Sequence, residues 1–228
     1  MKKLLSIILI GLNLAGMAQS HRISVDGGIN STLSWDGNPP FGEWSPYDAK
    51  LGYSINLSYS YIFENNIILS LRNSLAFYNF HSEDFWASID EEGEPVYVET
   101  KVELSYYQAS LGGGYLFEIG ERYSLGVHLG ASMLYNYKQV SYIIGQSEPE
   151  NETKWPWHKR NRYYGVFLSL NNNYQLYSAR KHSMYITGVI RATQVFNYGW
   201  SDSGLNRLLP EFTLGVAVAF NTSNGSRF

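Results

Sequence analysis

Over residues 51–63 the chain alternates without a break for a dozen positions. Leu51, Tyr53, Ile55, Leu57, Tyr59, Tyr61 and Phe63 fall on one face, and Gly52, Ser54, Asn56, Ser58, Ser60 and Ile62 on the other. A period of two is the mark of a β-strand whose faces meet different surroundings. The same pattern recurs along the whole chain and predicts eight strands, over residues 21–33, 51–63, 67–80, 100–118, 123–137, 163–177, 183–198 and 211–220. The last of these sets Phe212, Leu214, Val216, Val218 and Phe220 against Glu211, Thr213, Gly215, Ala217 and Ala219. The third carries one misfit, Asn73 on its apolar face. The fourth changes phase near Tyr106 and Tyr107, which predicts a β-bulge there.

The connections alternate as strictly as the faces. Residues 64–66, 119–122 and 178–182 are tight turns, whereas 34–50, 81–99, 138–162 and 199–207 are long or irregular. An even number of strands with both chain ends on the short-turn side is an up-and-down antiparallel arrangement. The bulky face is apolar throughout. The other carries mostly Ser, Gly, Asn and Ala, which suits a narrow crowded interior. Strands of this length also match the ~9–11 residues of a tilted bilayer crossing. Aromatic side chains concentrate at both strand ends. Tyr59, Tyr61, Phe63, Tyr115, Phe117, Tyr123 and Phe220 stand near the short turns, and Phe77, Phe80, Tyr106, Tyr107, Tyr135, Tyr164 and Trp200 near the long connections. Such rings favour the two membrane interfaces. The expected fold is all-β, an eight-stranded antiparallel up-and-down transmembrane β-barrel. The rival is a soluble eight-stranded cup of the lipocalin kind, whose water-facing side would be richer in charge and Thr.

Composition changes the picture at the N-terminus. Lys2 and Lys3 precede an apolar run, and Gly16 and Ala18 stand at the −3 and −1 positions of a small-residue cleavage site. Residues 1–18 are expected to be a secretory signal peptide and 19–228 the barrel domain. The chain contains no Cys, which excludes both a disulfide framework and a lipoprotein anchor. Its net charge of −3 becomes −5 once the two leader lysines are gone, so nucleic acid is not an expected partner. Thr213, Gly215, Val218 and Phe220 fit polar-x-Gly-x-x-apolar-x-aromatic. This motif resembles the assembly signal that closes bacterial outer-membrane barrels, although residues 221–228 follow it here. Taken with the strand pattern, the mature chain resembles the small bacterial outer-membrane barrels of the OmpA/OmpX type. The resemblance implies a bacterial outer-membrane location, periplasmic termini and short turns, and long extracellular loops. It also implies contact with outer-membrane lipid, lipopolysaccharide and the barrel assembly machinery.

Candidate chemistry divides between the small face and the loops. Asp26, Arg72, Glu118, His128 and Arg191 project to the small face by alternation, a set of two acids, two bases and a His expected to form a neutral network packing the lumen. A gated ion path is the sharper reading of the same residues. A lipid-modifying hydrolase or acyltransferase would need a base beside a nucleophile. His128 and Ser132 lie ~13 Å apart on one strand, so only a Ser from a neighbouring strand could reach His128. No metal-ligand spacing and no cofactor motif is present, and no catalytic residue is expected. Residues 81–99 are acidic. Lys154, Trp155, Trp157, His158, Lys159, Arg160 and Arg162 form a basic, Trp-bearing segment that, with Trp86, is expected to make one extracellular patch. It would meet lipopolysaccharide phosphates, a glycan or a partner protein. The expected function is a non-enzymatic structural or binding component acting through its loops; a lipid-modifying enzyme, a small channel and a lipocalin-like carrier are the alternatives.

Overall fold

The computed structural model describes residues 18–34, 48–89, 95–144, 151–154, 162–179, 181–196 and 207–221. They form ten strands: β1 (Ala18–Asn30), β2 (Leu33–Ser34), β3 (Asp48–Phe63), β4 (Ile67–Ile89), β5 (Pro95–Ile119), β6 (Tyr123–Ile143), β7 (Asn151–Lys154), β8 (Arg162–Ser178), β9 (His182–Phe196) and β10 (Arg207–Asn221). Eight long strands pair in sequence, antiparallel throughout, and β10 pairs with β1 from Ser20↔Asn221 to Asn30↔Glu211. That last pairing closes the sheet on itself and leaves no long edge to be satisfied. The two short strands only extend neighbours, β2 along β10 and β7 along β6.

The tight turns form where the sequence supplies residues that tolerate a left-handed backbone. Asn66 adopts φ 63° and Gly120 φ 76°. Asn is among the few side chains at ease there, and Gly has no Cβ to resist it. The Asn66 N–H then donates to the Phe63 carbonyl at 2.9 Å, fixing the β3–β4 register.

The faces separate sharply. Leu129 exposes 64% of its surface, while His128 beside it exposes 3%. Ile55, Leu57, Leu111, Val166, Leu168, Ile190, Leu214 and Val216 are likewise exposed, and Ser54, Asn56, Ser110, Ser169 and Thr213 are buried. A soluble protein does not leave a continuous girdle of this kind in water; hydrocarbon is the solvent that tolerates it. The barrel is therefore transmembrane, and a lipocalin-like cup, which would bury this face, is excluded.

Three features differ from the sequence expectation. First, β4, β5 and β6 run to 23, 25 and 21 residues, so much of what reads as the loops 81–99 and 138–162 is paired strand. Outside the bilayer both faces of a hairpin meet water, so alternation fades although pairing continues. Second, the bulge is not in β5. Val102, Leu104, Tyr106, Gln108, Ser110 and Gly112 keep one inward phase. Ser105 pairs with Lys138 and Tyr106 with Asn136, which leaves Tyr137 of β6 as the extra residue. Third, Phe80 and Tyr106 are not membrane-facing belt residues but point inward, and Tyr135, on the outward phase of β6, is also buried. With Tyr78, Val102, Leu104, Leu134, Val195 and Leu209, Phe80 and Tyr106 pack into an apolar plug filling the barrel at its long-connection end. Tyr78 and Tyr106 meet edge-on at 5.6 Å between ring centres.

Candidate functional site

Below the plug the lumen turns polar. Arg72 of β4 lies at its centre because its register partners on both sides, Ser58 and Ser110, are small. Its guanidinium donates to both Asp26 oxygens, at 2.9 and 3.4 Å, and to Glu211 Oε1 at 3.2 Å. Asn56 Nδ2 donates to Asp26 Oδ1 at 2.9 Å and to Glu211 Oε1 at 3.0 Å. Ser54 Oγ donates to Glu211 Oε1 at 2.6 Å. Two carboxylates thus share one guanidinium, with neutral donors satisfying their remaining lone pairs. Buried charge persists only on such terms.

Arg191 of β9 is held differently. It donates to the hydroxyls of Ser110 at 2.6 Å, Ser132 at 2.8 Å and Thr193 at 3.2 Å, with no carboxylate in ion-pair range. Its guanidinium lies 3.8 Å from the centre of the Phe167 ring. Phe167 itself fits because two residues opposite are glycine. A Cβ at Gly112 would stand 2.6 Å from Phe167 Cζ, and one at Gly130 2.7 Å from Cε1. Arg22 of β1 lies over the Tyr185 ring at 4.5 Å. The Nε atoms of Arg22 and Arg72 are buried without a hydrogen-bond partner.

His128 of β6 meets Ser70 Oγ through Nδ1 and Asn171 Nδ2 through Nε2, both at 3.3 Å. The neighbouring-strand Ser that a nucleophile–base pair would require is therefore present. An Asn171 amide that donates to Nε2 leaves the ring proton on Nδ1, toward Ser70, the reverse of what a general base needs. Backbone N–H groups around Ser70 belong to the β3–β4–β5 ladder and offer no oxyanion pocket. The cavity beside His128 has a volume of about 40 Å³, room for a few waters at ~10–15 Å³ each and not for an acyl chain.

Of the five lumen residues picked out by alternation, the structure brings Asp26 and Arg72 into contact and buries His128 and Arg191. Glu118 is a correction. It has the inward phase, but it sits one residue from the end of β5 and is exposed. Alternation fixes the face and not the depth. Two charged lumen residues were missed, Arg22 and Glu211. Both share the small face with residues that were named, and phase alone could have found them. They change the balance, because Arg22, Arg72 and Arg191 now face Asp26 and Glu211 rather than forming a neutral set.

The loop residues fare differently. Trp86 lies in β4, its backbone paired with Tyr97, and Lys154 closes β7 opposite Lys138. Arg162 opens β8 and is exposed. Trp155, Trp157, His158, Lys159 and Arg160 lie outside the described residues. The proposed assembly signal sits on the closing strand. Thr213 is wholly buried and Phe220 exposed near the short turns, with Val218 half-buried. Gly215 stands at the β1–β10 seam, where a Cβ would collide with the Val25 carbonyl and the Asp26 Cα. Among the described residues no cluster of His, Asp and Glu could hold a metal.

A closed barrel of eight long antiparallel strands, apolar outside and packed within, decides the architecture. It is that of the small outer-membrane barrels of the OmpA/OmpX kind. No family model matches the chain, and no curated protein matches it. Among solved structures it is similar to Ail, the attachment invasion locus protein of Yersinia pestis, crystallised with the heparin analogue sucrose octasulfate. The two are 20% identical over 90% of this chain and 100% of that one, with a TM-score of 0.41. It is similar to the outer-membrane protein OprG of Pseudomonas aeruginosa, at 11% identity over 90% and 98% of the two chains and a TM-score of 0.47. It is also similar to the outer-membrane protease OmpT of Escherichia coli, at 10% identity over 89% and 96% and a TM-score of 0.37. A barrel fold by itself does not select an activity.

Proposed function

We propose that the protein is a Gram-negative outer-membrane component, exported by a cleaved leader at residues 1–18, that works as a non-enzymatic binding element through its long-connection side. The observation that carries this reading is the overshoot of three neighbouring strands. A crossing takes ~9–11 residues, and β4, β5 and β6 have 23, 25 and 21. Roughly a dozen residues of each therefore stand beyond the bilayer as a sheet, all on the side opposite the short turns. Building a wall of paired strands outside the membrane serves contact with something else, since the barrel closes without it.

One basic segment on that side favours an anionic partner, beside the acidic residues 81–99. Lys154 ends β7, Trp155, Trp157, His158, Lys159 and Arg160 come next in the sequence, and Arg162 opens β8. Guanidinium and ammonium groups suit the phosphates of outer-leaflet lipopolysaccharide, and Trp favours the interface beside them. Against an enzymatic role stand the hydrogen bonding of His128, the laddered backbone around Ser70 and the small size of the cavity.

Replacing Trp155, Trp157, Lys159 and Arg160 together with Ala tests the assignment. The variant should keep heat-modifiable gel mobility and outer-membrane fractionation, because the described strands stop at Lys154 and resume at Arg162. It should lose retention of lipopolysaccharide on purification from outer membranes. Retention equal to wild type would remove lipopolysaccharide as the ligand of this segment. Partner crosslinks lost in place of lipid would make the partner a protein.

A further inference from the structure

Among the described residues the lumen has one more guanidinium than it has carboxylates, and the surplus borders an open space. Three of the described arginines point inward, Arg22, Arg72 and Arg191. The two inward acids, Asp26 and Glu211, both bind Arg72. Arg191 is met by three hydroxyls and a Phe ring, and Arg22 by a Tyr ring. All three guanidinium-bearing side chains line the same cavity, which runs from the Arg72–Arg191 level toward the short turns. Besides His128, its other polar walls are hydroxyls and amides, among them Ser24, Ser58, Ser70, Ser169 and Asn171. No carboxylate lines it. A low-dielectric space bordered by a net positive charge is unfavourable unless an anion enters it. Two independent details point the same way. Arg22 Nε and Arg72 Nε are buried with no acceptor, although a guanidinium normally uses its N–H groups. The cavity's 40 Å³ also suits an ion with a few waters rather than a side chain or an organic ligand.

We propose that the lumen contains a binding site for one small inorganic anion, held by Arg22, Arg72 and Arg191 and by serine hydroxyls on the short-turn side of the Arg72 cluster. The anion supplies the negative charge that the protein omits. Chloride and inorganic phosphate share the chemistry the site requires, acceptance from N–H and O–H groups, and size decides between them. This inference does not depend on the loops, so it stands or falls apart from the lipopolysaccharide assignment.

The test is thermal unfolding of the full chain, folded in a neutral detergent, at constant ionic strength. Sodium gluconate, too large for the cavity, is exchanged stepwise for sodium chloride or for sodium phosphate. Wild type should gain stability in proportion to the logarithm of chloride or phosphate concentration once the site begins to fill. Arg22→Gln should lose most of that gain. Ser24→Asp places a carboxylate on the cavity wall two residues from Arg22. It should fold, melt at or above the anion-loaded wild type, and no longer respond to either anion. A wild type whose melting is the same in all three salts overturns the proposal. So does an Arg22→Gln or Ser24→Asp variant that folds and responds as wild type does. If Arg22→Gln does not fold, Ser24→Asp decides alone.

Discussion

At the scale of single residues, the lumen is organised by which charges are shared. Arg72 holds both inward carboxylates, so removing it leaves two buried acids without an ion-pair partner. Loss of one partner from a buried pair costs ~3–5 kcal/mol, much of it the stranded charge. Arg72→Ala should lower unfolding stability by about that amount in equilibrium urea or guanidinium titrations. Arg191→Met keeps a chain to pack on Phe167 and strands no carboxylate, so it should cost clearly less in the same experiment. Equal losses would mean that Arg191 also neutralises an acid. Alternation alone read Arg72, Asp26, His128 and Arg191 as inward, because each interrupts a run of small residues. It did not rank them, since phase carries no depth and no partner. Glu118 has the right phase and the wrong depth. Glu211 and Arg22 have both, but each stands at the boundary of a pattern, one opening the closing strand and the other two residues into the first.

At the scale of elements, the eight spanning strands were legible wherever lipid outside and packing inside impose opposite demands. The legibility ends where either demand ends. Above the bilayer the β4–β5 hairpin has water on both faces, and its acidic residues read as a loop although Phe85 pairs with Val98 and Trp86 with Tyr97. At the long-connection end the inward face itself turns apolar, so Phe80 and Tyr106 read as interface aromatics while they fill the lumen beside Tyr78. The Tyr106–Tyr107 step looked like a phase change because two aromatics adjoin. The backbone carries its phase straight through, and the extra residue lies across the ladder at Tyr137. The overshooting hairpin is then separable from the barrel. Deleting residues 84–97 and joining the ends with a short Gly-containing turn should leave the β4–β5 pairing from Ile67↔Tyr115 to Phe80↔Val102 intact. The shortened chain should still shift in mobility on heating in gels. Failure to fold would make the extension part of the barrel's stability rather than a surface built upon it.

At the scale of the whole molecule, the barrel is a membrane anchor with a layered and mostly filled interior. The apolar plug lies at the long-connection end, the Arg72 cluster beneath it, the Arg-lined cavity below that, and Ile62, Ile68 and Leu116 together near the short turns. An eight-stranded barrel is just wide enough for side chains to fill. No steady conductance is expected in planar bilayers, and large resolved single-channel steps would contradict the plug. All of this rests on one assignment, that odd-numbered residues of β3 face lipid and even-numbered ones face the lumen. A pair of nitroxide labels in lipid bilayers tests it, one at position 57, where Leu57 is 52% exposed, and one at position 58, where Ser58 borders the cavity. The label at 57 should collide freely with oxygen dissolved in the hydrocarbon, and the label at 58 should be shielded from it. Oxygen access at 58 with protection at 57 would turn the barrel inside out and contradict the account.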